Sequence, residues 1–214
     1  MRFVDRRDAG QQLALRLANI PLVDPVVLAL PRGGVPVADE IAKALRAPLS
    51  VFVARKIGAP LQPEYGIGAI AEGGAVVVDS SSVQTLGLTQ AQLDTLTASE
   101  QEELDRRVQR YRGSRSLPDL IDRDVVLVDD GLATGVTAEV SVRALRAQQP
   151  RRVILAVATC APDSRARLAT IADEVVCVMA PPEFRAVGLW YERFDQTTDE
   201  EVADVLEASV GARR

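Results

Sequence analysis

The sequence predicts an α/β fold, a mostly parallel twisted sheet flanked by helices. Three observations predict it. Short β-branched runs alternate with helix-period stretches along most of the 214 residues. The strongest run, Val125-Val126-Leu127-Val128, is apolar throughout, as a strand buried on both faces must be. Glycine-bearing turns then follow two such runs, at 33–34 and at 131, and each leads into a helix.

Taken in order, residues 8–19 read as a leading helix and 26–30 as a strand. A glycine turn and a helix over 35–46 follow, with Pro36 suited to its first turn. Residues 49–54 form the next strand. Residues 65–71 and 75–79, joined by Glu72-Gly73-Gly74, read as a β-hairpin. Residues 80–117 then interrupt the alternation with a helical insertion. Ser99 and Glu102 have capping-box spacing there, and acidic residues at 100–105 precede Arg106, Arg107, Arg110, Arg112 and Arg115, the charge order a helix dipole favours. That basic end is either a solvated helix terminus or a tip that reaches an anionic ligand or a neighbouring subunit. Strand 125–128, helix 134–149, strand 153–159, helix 163–171 and strand 174–179 complete the alternation. An irregular aromatic tail at 181–195 leads to a closing helix at 199–210. The expectation is one domain over 1–214, with its core at about 24–180.

Composition narrows the chemistry. The formal net charge of −5 gives no general attraction for nucleic acid, so any anion site has to be local. The first residues carry charges where a signal peptide needs an apolar core, and no apolar run approaches the length of a membrane span. A cytoplasmic protein without membrane or nucleic-acid partners is therefore expected. Histidine is absent, which excludes a Ser-His-Asp triad, a histidine-ligated zinc and a histidine general base. Cys160 and Cys177 read as small buried hydrophobes. Of 25 basic residues only Lys43 and Lys56 are lysines, which draws attention to Lys56 beside a candidate site.

The strongest chemical signal is VVLVDDGLATGVT at 125–137. A buried strand delivers Asp129 and Asp130 to its C-terminal end, where open α/β sheets bind ligands. The loop Gly131-Leu132-Ala133-Thr134-Gly135-Val136-Thr137 then turns into a helix, whose backbone N–H groups and positive dipole end suit a phosphate. Thr134 and Thr137 add hydroxyl donors, and the two carboxylates can accept hydrogen bonds from a vicinal diol. A second loop, Leu30-Pro31-Arg32-Gly33-Gly34, also ends an apolar strand. Its glycines permit close backbone approach, and Arg32 offers a forked cation for a diphosphate. By itself this loop could merely turn the chain.

The motif at 125–137 closely resembles the phosphoribosyl pyrophosphate (PRPP) motif of the type I phosphoribosyltransferases. It lacks the Gly-Lys-Ser/Thr ending of a Walker loop. The resemblance spans about 26–179. It implies the type I core fold, with a β-hairpin flexible loop, the helical insertion at about 80–117 and a small hood built from the N-terminal helix and about 181–214. It further implies that Asp129 and Asp130 hold the ribose hydroxyls. Ala133, Thr134, Gly135, Val136 and Thr137 would then cradle the 5′-phosphate.

By the same resemblance, Arg32, Gly33 and Gly34 correspond to the pyrophosphate loop, where the Pro31–Arg32 peptide is expected to be cis. The stretch from Arg55-Lys56 to Glu64-Tyr65-Gly66 resembles the flexible catalytic loop, that of adenine phosphoribosyltransferase in particular, with Arg55 and Lys56 reaching the pyrophosphate. A plain hairpin is the alternative for it. Arg32, Lys56, Asp129 and Asp130 are the expected catalytic set, and Glu64 is the one guess at a base. Phe184, Trp190 and Tyr191 would form the hood over a planar base; a hydrophobic anchor or a dimer contact would account for them equally.

Ala133 stands where hypoxanthine-guanine members carry an aspartate, which instead resembles adenine and uracil members. The tail does not resemble that of adenine phosphoribosyltransferase. The implied reaction is pentosyl transfer from PRPP to a nitrogenous acceptor, with Mg²⁺ held mainly through PRPP near Asp129 and Asp130, in a homodimer. The alternatives are a PRPP-binding regulator without turnover and an unrelated α/β protein using Asp129 as its acid.

Overall fold

Residues 153–158, like 125–128, carry no polar side chain, and a strand with two apolar faces needs cover on both. The computed structural model describes residues 2–211, and of residues 64, 210 and 211 the backbone only. It places β6 (Asp124–Asp129) and β7 (Arg152–Thr159) inside a five-stranded parallel sheet. Around them run β1 (Val26–Ala29), β2 (Leu49–Val51) and β8 (Glu174–Met179), in the order β2-β1-β6-β7-β8. Val26 pairs with Val125 and Ala29 with Val128, so the ends of β1 and β6 lie side by side.

Side chains alternate between two cores. Val27, Ala29, Val126, Val128 and Ile154 face α1 (Arg6–Leu17), α2 (Gly34–Leu45) and the closing helix α7 (Asp199–Gly211). Val26, Leu28, Val125, Leu127 and Val153 face α5 (Val136–Arg146) and α6 (Pro162–Leu168). Two buried sheet faces require two separate layers of helical cover, and the connections β1–α2–β2 and β6–α5–β7 supply them from opposite directions.

The expected strand over 49–54 divides. Residues 49–51 stay in the parallel sheet, and the chain crosses at Phe52-Val53 into a second, antiparallel sheet of β3 (Ala54–Ala59), β4 (Gln62–Ala71) and β5 (Ala75–Val78). The expected hairpin at 65–79 is thus two thirds of a three-stranded sheet, and residues 54–64, expected as a loop, are mostly strand. Gly58 and Gly68 explain why the glycine-rich sequence pairs so well. A Cβ at either would press on backbone of the neighbouring strand, at Pro63 or Val77.

Two further boundaries move. The leading helix begins at Arg6, because Asp5 caps it by accepting from the N–H groups of Arg7 and Asp8. In the insertion, α3 (Ser80–Thr85) precedes α4 (Gln90–Arg112), whose capping box is Thr89 with Gln92. Ser99 and Glu102 lie inside that helix, so the expected cap there is wrong. Both residue pairs satisfy the same local rule; packing of Leu93 and Leu96 on the first core extends the helix to the earlier one. Arg112, counted with the solvated basic end, is buried and pairs with Glu72. Cys160 is buried as expected, Cys177 is only half-buried, and their sulfurs meet at 2.9 Å.

Candidate functional site

The buried β6 strand ends in Asp129 and Asp130, whose side chains lie close together at the sheet's C-terminal edge. The Asp130 N–H donates to Asp129 Oδ1 at 2.9 Å. Burial pushes the Asp129 carboxyl well above the usual carboxylate range, and the charge of Asp130 adds to it. Burial raises Asp130 as well, while Arg6, donating from Nε to Asp130 Oδ2 at 2.8 Å, pulls it back. Two crowded carboxylates, with one arginine bound to the second of them, form an acidic site suited to hydroxyl donors or a cation.

The two glycine loops meet at this pair. A Cβ on Gly33 would overlap the Asp130 carboxylate, and one on Gly34 would lie 2.6 Å from the Val128 carbonyl. Only glycine allows the loop after β1 to lie this close to the end of β6. The Pro31–Arg32 peptide is cis. Helix α2 starts from Gly33 and helix α5 from Gly135, both without a side-chain cap bond. Gly135 adopts a left-handed φ of 68°. The two helix N-termini therefore open beside each other at the point where the connections leave β1 and β6 in opposite directions. Such a switch point forms the crevice in which open parallel sheets take ligands.

The loop over 131–135 is held from behind. Leu132 N–H donates to the Thr159 carbonyl, and the Ala161 N–H to that of Leu132. Ser164 Oγ donates to the Ala133 carbonyl at 2.6 Å, and Arg167 reaches both Thr134 O and Glu139. Carbonyls are thus engaged on one side, while Ala133 and Thr134 stay exposed and Val136 and Thr137 half-buried on the turn into α5. That leaves the loop's N–H side for an anion.

Other expected site residues fall in several places. Arg32 stands 3.8 Å from Asp199 in a cleft shared with Arg106, Arg107, Arg110 and Tyr111. Arg55 is directed at the insertion, with Nε 2.5 Å from Glu100 and Nη1 3.6 Å from Glu103, so as placed it serves α4 and not the crevice. Lys56 is exposed on β3, and its methylenes run past Gly66, where a Cβ would lie 2.8 Å from Lys56 Cδ. Tyr65 OH lies 2.8 Å from Ser82 Oγ of α3. The Glu64 side chain lies outside the described residues.

The aromatic tail does fold over the site, together with the N-terminus. Phe3 bridges to Tyr191, Tyr191 stacks between Phe3 and Phe194 at centroid distances of 5.2 and 4.9 Å, and Arg6 sits 4.0 Å above Phe194. Tyr191 is 3% exposed and donates from its hydroxyl to the Asp130 carbonyl at 2.6 Å, which makes it a fastener of the hood and not an open stacking surface. Phe184 and Trp190 are half-buried, and the Trp190 indole N–H is buried without a partner. Sequence reasoning missed Arg6 altogether. Its one signal, a position just after a helix cap, is shared by many surface arginines.

A family model described as the phosphoribosyl transferase domain matches residues 9–187. The chain belongs to that family. Two strains of Mycobacterium tuberculosis hold proteins provisionally named phosphoribosyl transferases that are 48% identical over 205 residues, covering 96% of this chain and 46% of theirs. The chain therefore spans about half the length of the curated relatives it matches. The crystal structure of TT1426 from Thermus thermophilus superimposes with a TM-score of 0.83 at 44% identity, covering 96% of this chain and 98% of that one. The Aquifex aeolicus AQ2163 structure, 15% identical with a TM-score of 0.53 over 95% and 85% of the two chains, shares the fold alone. The parallel sheet and its helical layers are the core of this phosphoribosyl transferase domain. Among the described residues no helix is long and apolar enough to cross a membrane.

Proposed function

We propose that this phosphoribosyl transferase domain binds PRPP in the crevice between β1 and β6 and transfers its phosphoribosyl group to a nitrogenous acceptor, a nucleobase by chemistry, releasing pyrophosphate. One observation carries the reading. Two uncapped helix N-termini, of α2 and α5, flank a half-buried pair of carboxylates at a single switch point. PRPP has the matching order of groups, with a phosphate at one end, a ribose diol in the middle and a diphosphate at the other.

In this reading the N–H groups over 133–137, with the Thr134 and Thr137 hydroxyls, hold the 5′-phosphate. Asp129 and Asp130 accept from the ribose hydroxyls. Their crowding supports the assignment, because each donor or cation brought to the pair relieves a repulsion the folded protein otherwise bears. Arg32 and the Gly33 and Gly34 backbone hold the diphosphate. A Mg²⁺ would be held mainly through PRPP itself, near Asp129 and Asp130, whose carboxylate oxygens suit a hard cation. The cation's chemistry there is neutralisation of the departing diphosphate. The protein orients C1 and excludes water from the developing oxocarbenium ion; Arg6, Tyr191 and Phe194 cover the Asp130 side of the crevice for that purpose.

The test is pyrophosphate release from PRPP and Mg²⁺ across a panel of nucleobases. Release with one acceptor, lost in Asp129→Asn, is the expected result. PRPP binding without release for any acceptor would make the domain a ligand-binding regulator, and no PRPP binding at all would refute the site.

A further inference from the structure

The helical insertion has a basic end that the proposed site leaves unexplained. Helix α4 packs against β2, β3, β4 and α7, and its last turns carry Arg106, Arg107 and Arg110. Arg107 stands between two clefts. On one side it lines a cleft with Lys56, Arg55 and Glu100; on the other it shares a smaller one with Arg32, Arg110 and Tyr111. The second cleft begins one residue from Gly33, which packs against the Asp130 carboxylate. Cations from the β1 loop, from β3 and from α4 thus form a continuous band beside the proposed ribose clamp. Arg32, Arg55, Lys56, Arg106, Arg107 and Arg110 stand against Glu100, Glu103, Asp199 and Glu200, a local positive surplus in a chain of net charge −5.

A second observation concerns the donors of the smaller cleft. The Asp199 carboxylate, at the start of α7, already sits in the smaller cleft. It lies 2.9 Å from Arg110 Nη1, 2.5 Å from the Tyr111 hydroxyl and 3.8 Å from Arg32 Nη1. Burial and the Asp199 bond push the Tyr111 hydroxyl up to about 12, so it remains a donor at neutral pH. The cleft thus offers guanidinium and hydroxyl donors that converge on one carboxylate. Arg106 and Arg107 are meanwhile tied to Glu103, at 2.6 and 2.9 Å.

We propose that the α4 insertion completes the diphosphate site, with Arg107 and Arg110 joining Arg32 on the diphosphate oxygens, Glu103 competing for Arg107 and Asp199 for Arg110 and Arg32 until the ligand arrives. The inference rests on the PRPP reading above and adds residues to it that neither glycine loop supplies. Paired guanidinium groups suit a diphosphate because each can present two parallel N–H donors to adjacent oxygens.

The experiment is calorimetric titration of the full chain with inorganic pyrophosphate and Mg²⁺, and separately with PRPP and Mg²⁺. Wild type, Arg107→Gln, Arg110→Gln, Glu103→Gln and Asp129→Asn are compared, with thermal melts to confirm folding. Arg107→Gln is expected to weaken both ligands at least tenfold. Glu103→Gln, which releases Arg106 and Arg107, should tighten both several-fold, a direction that loss of a merely structural contact would not produce. Asp129→Asn should weaken PRPP, which carries the ribose hydroxyls, by a larger factor than pyrophosphate, which does not. If PRPP binding depends on Asp129 but the Arg107, Arg110 and Glu103 variants match wild type, the insertion has no such role and the PRPP reading stands. Pyrophosphate binding that depends on Arg107, with no PRPP binding by wild type, supports the diphosphate site and overturns the PRPP reading. If Arg107→Gln fails to fold, Arg110→Gln and Glu103→Gln decide by the same signs. Binding of neither ligand overturns both.

Discussion

Truncating Arg112 to alanine should destabilise this protein far more than removing any exposed arginine. Arg112 ends α4 and reaches inward, with Nη2 2.6 Å from Glu72 Oε2 and Nη1 donating to the Val51 carbonyl at 3.1 Å. Glu72 Oε1 in turn accepts the Val53 N–H at 2.6 Å. The two side chains are 9% and 10% exposed, so water reaches neither well. One pair thereby fastens the insertion to the point where the chain leaves the parallel sheet for the antiparallel one. Arg112→Ala strands the Glu72 carboxylate with a single backbone donor and frees the Val51 carbonyl. Breaking a buried pair in this way costs about 3–5 kcal/mol. At roughly 2–4 °C per kcal/mol for a domain of this size, Tm should fall by roughly 6–20 °C. Arg143→Ala, which removes a half-exposed i,i+4 pair with Glu139, is the control and should cost no more than about 0.5 kcal/mol. The double variant Glu72→Leu/Arg112→Met should recover most of the loss, because apolar replacement of both partners leaves no charge uncompensated. Thermal and urea unfolding measure all three. A cost below about 1 kcal/mol for Arg112→Ala, the range of exposed pairs, would refute the reasoning.

Three further outcomes are expected. The raised native Asp129 carboxyl means that folding prefers its protonated form: this contribution to stability is complete below the ordinary aspartate range and is lost as pH rises through the native value. Asp129→Asn should therefore raise Tm at pH 7 while weakening PRPP, with the stability gain shrinking as pH falls; melts from pH 7 to pH 4 that show a loss at neutral pH would contradict the burial argument. Gly33→Ala drives a methyl into the Asp130 carboxylate and should weaken PRPP binding by at least tenfold, about 1.4 kcal/mol, by calorimetry; unchanged affinity would separate the β1 loop from the ribose clamp. Lys56→Ala, an exposed change on β3, should leave stability within about 0.5 kcal/mol. It should also lower kcat/KM more than tenfold, about 1.4 kcal/mol, on the acceptor that the nucleobase panel identifies; wild-type turnover would remove Lys56 from catalysis.

The strand–loop–helix unit over 125–137 was legible along the chain, because its strand, its two aspartates and its glycine-bearing loop are contiguous and answer to local rules. For the same reason the glycines at 33–34, the parallel α/β alternation and the closing helix were legible, although α5 and α6 each end three residues before the expected boundary. Tertiary structure alone decided the partners. Arg6 meets Asp130 across 124 positions, Arg112 meets Glu72, and Tyr191 disappears between Phe3 and Phe194 to fasten the hood. It also decided that Arg55 turns to α4, that residues 52–53 carry the chain from one sheet to the other, and that α4 starts at Thr89 although Ser99 obeys the same capping rule. Propensity, caps and turn chemistry act over a few residues and can be read along the chain. Burial and charge pairing depend on which surfaces the fold brings together, and a linear pattern that admits two frames is settled only by the one that buries more apolar surface and leaves fewer charges alone.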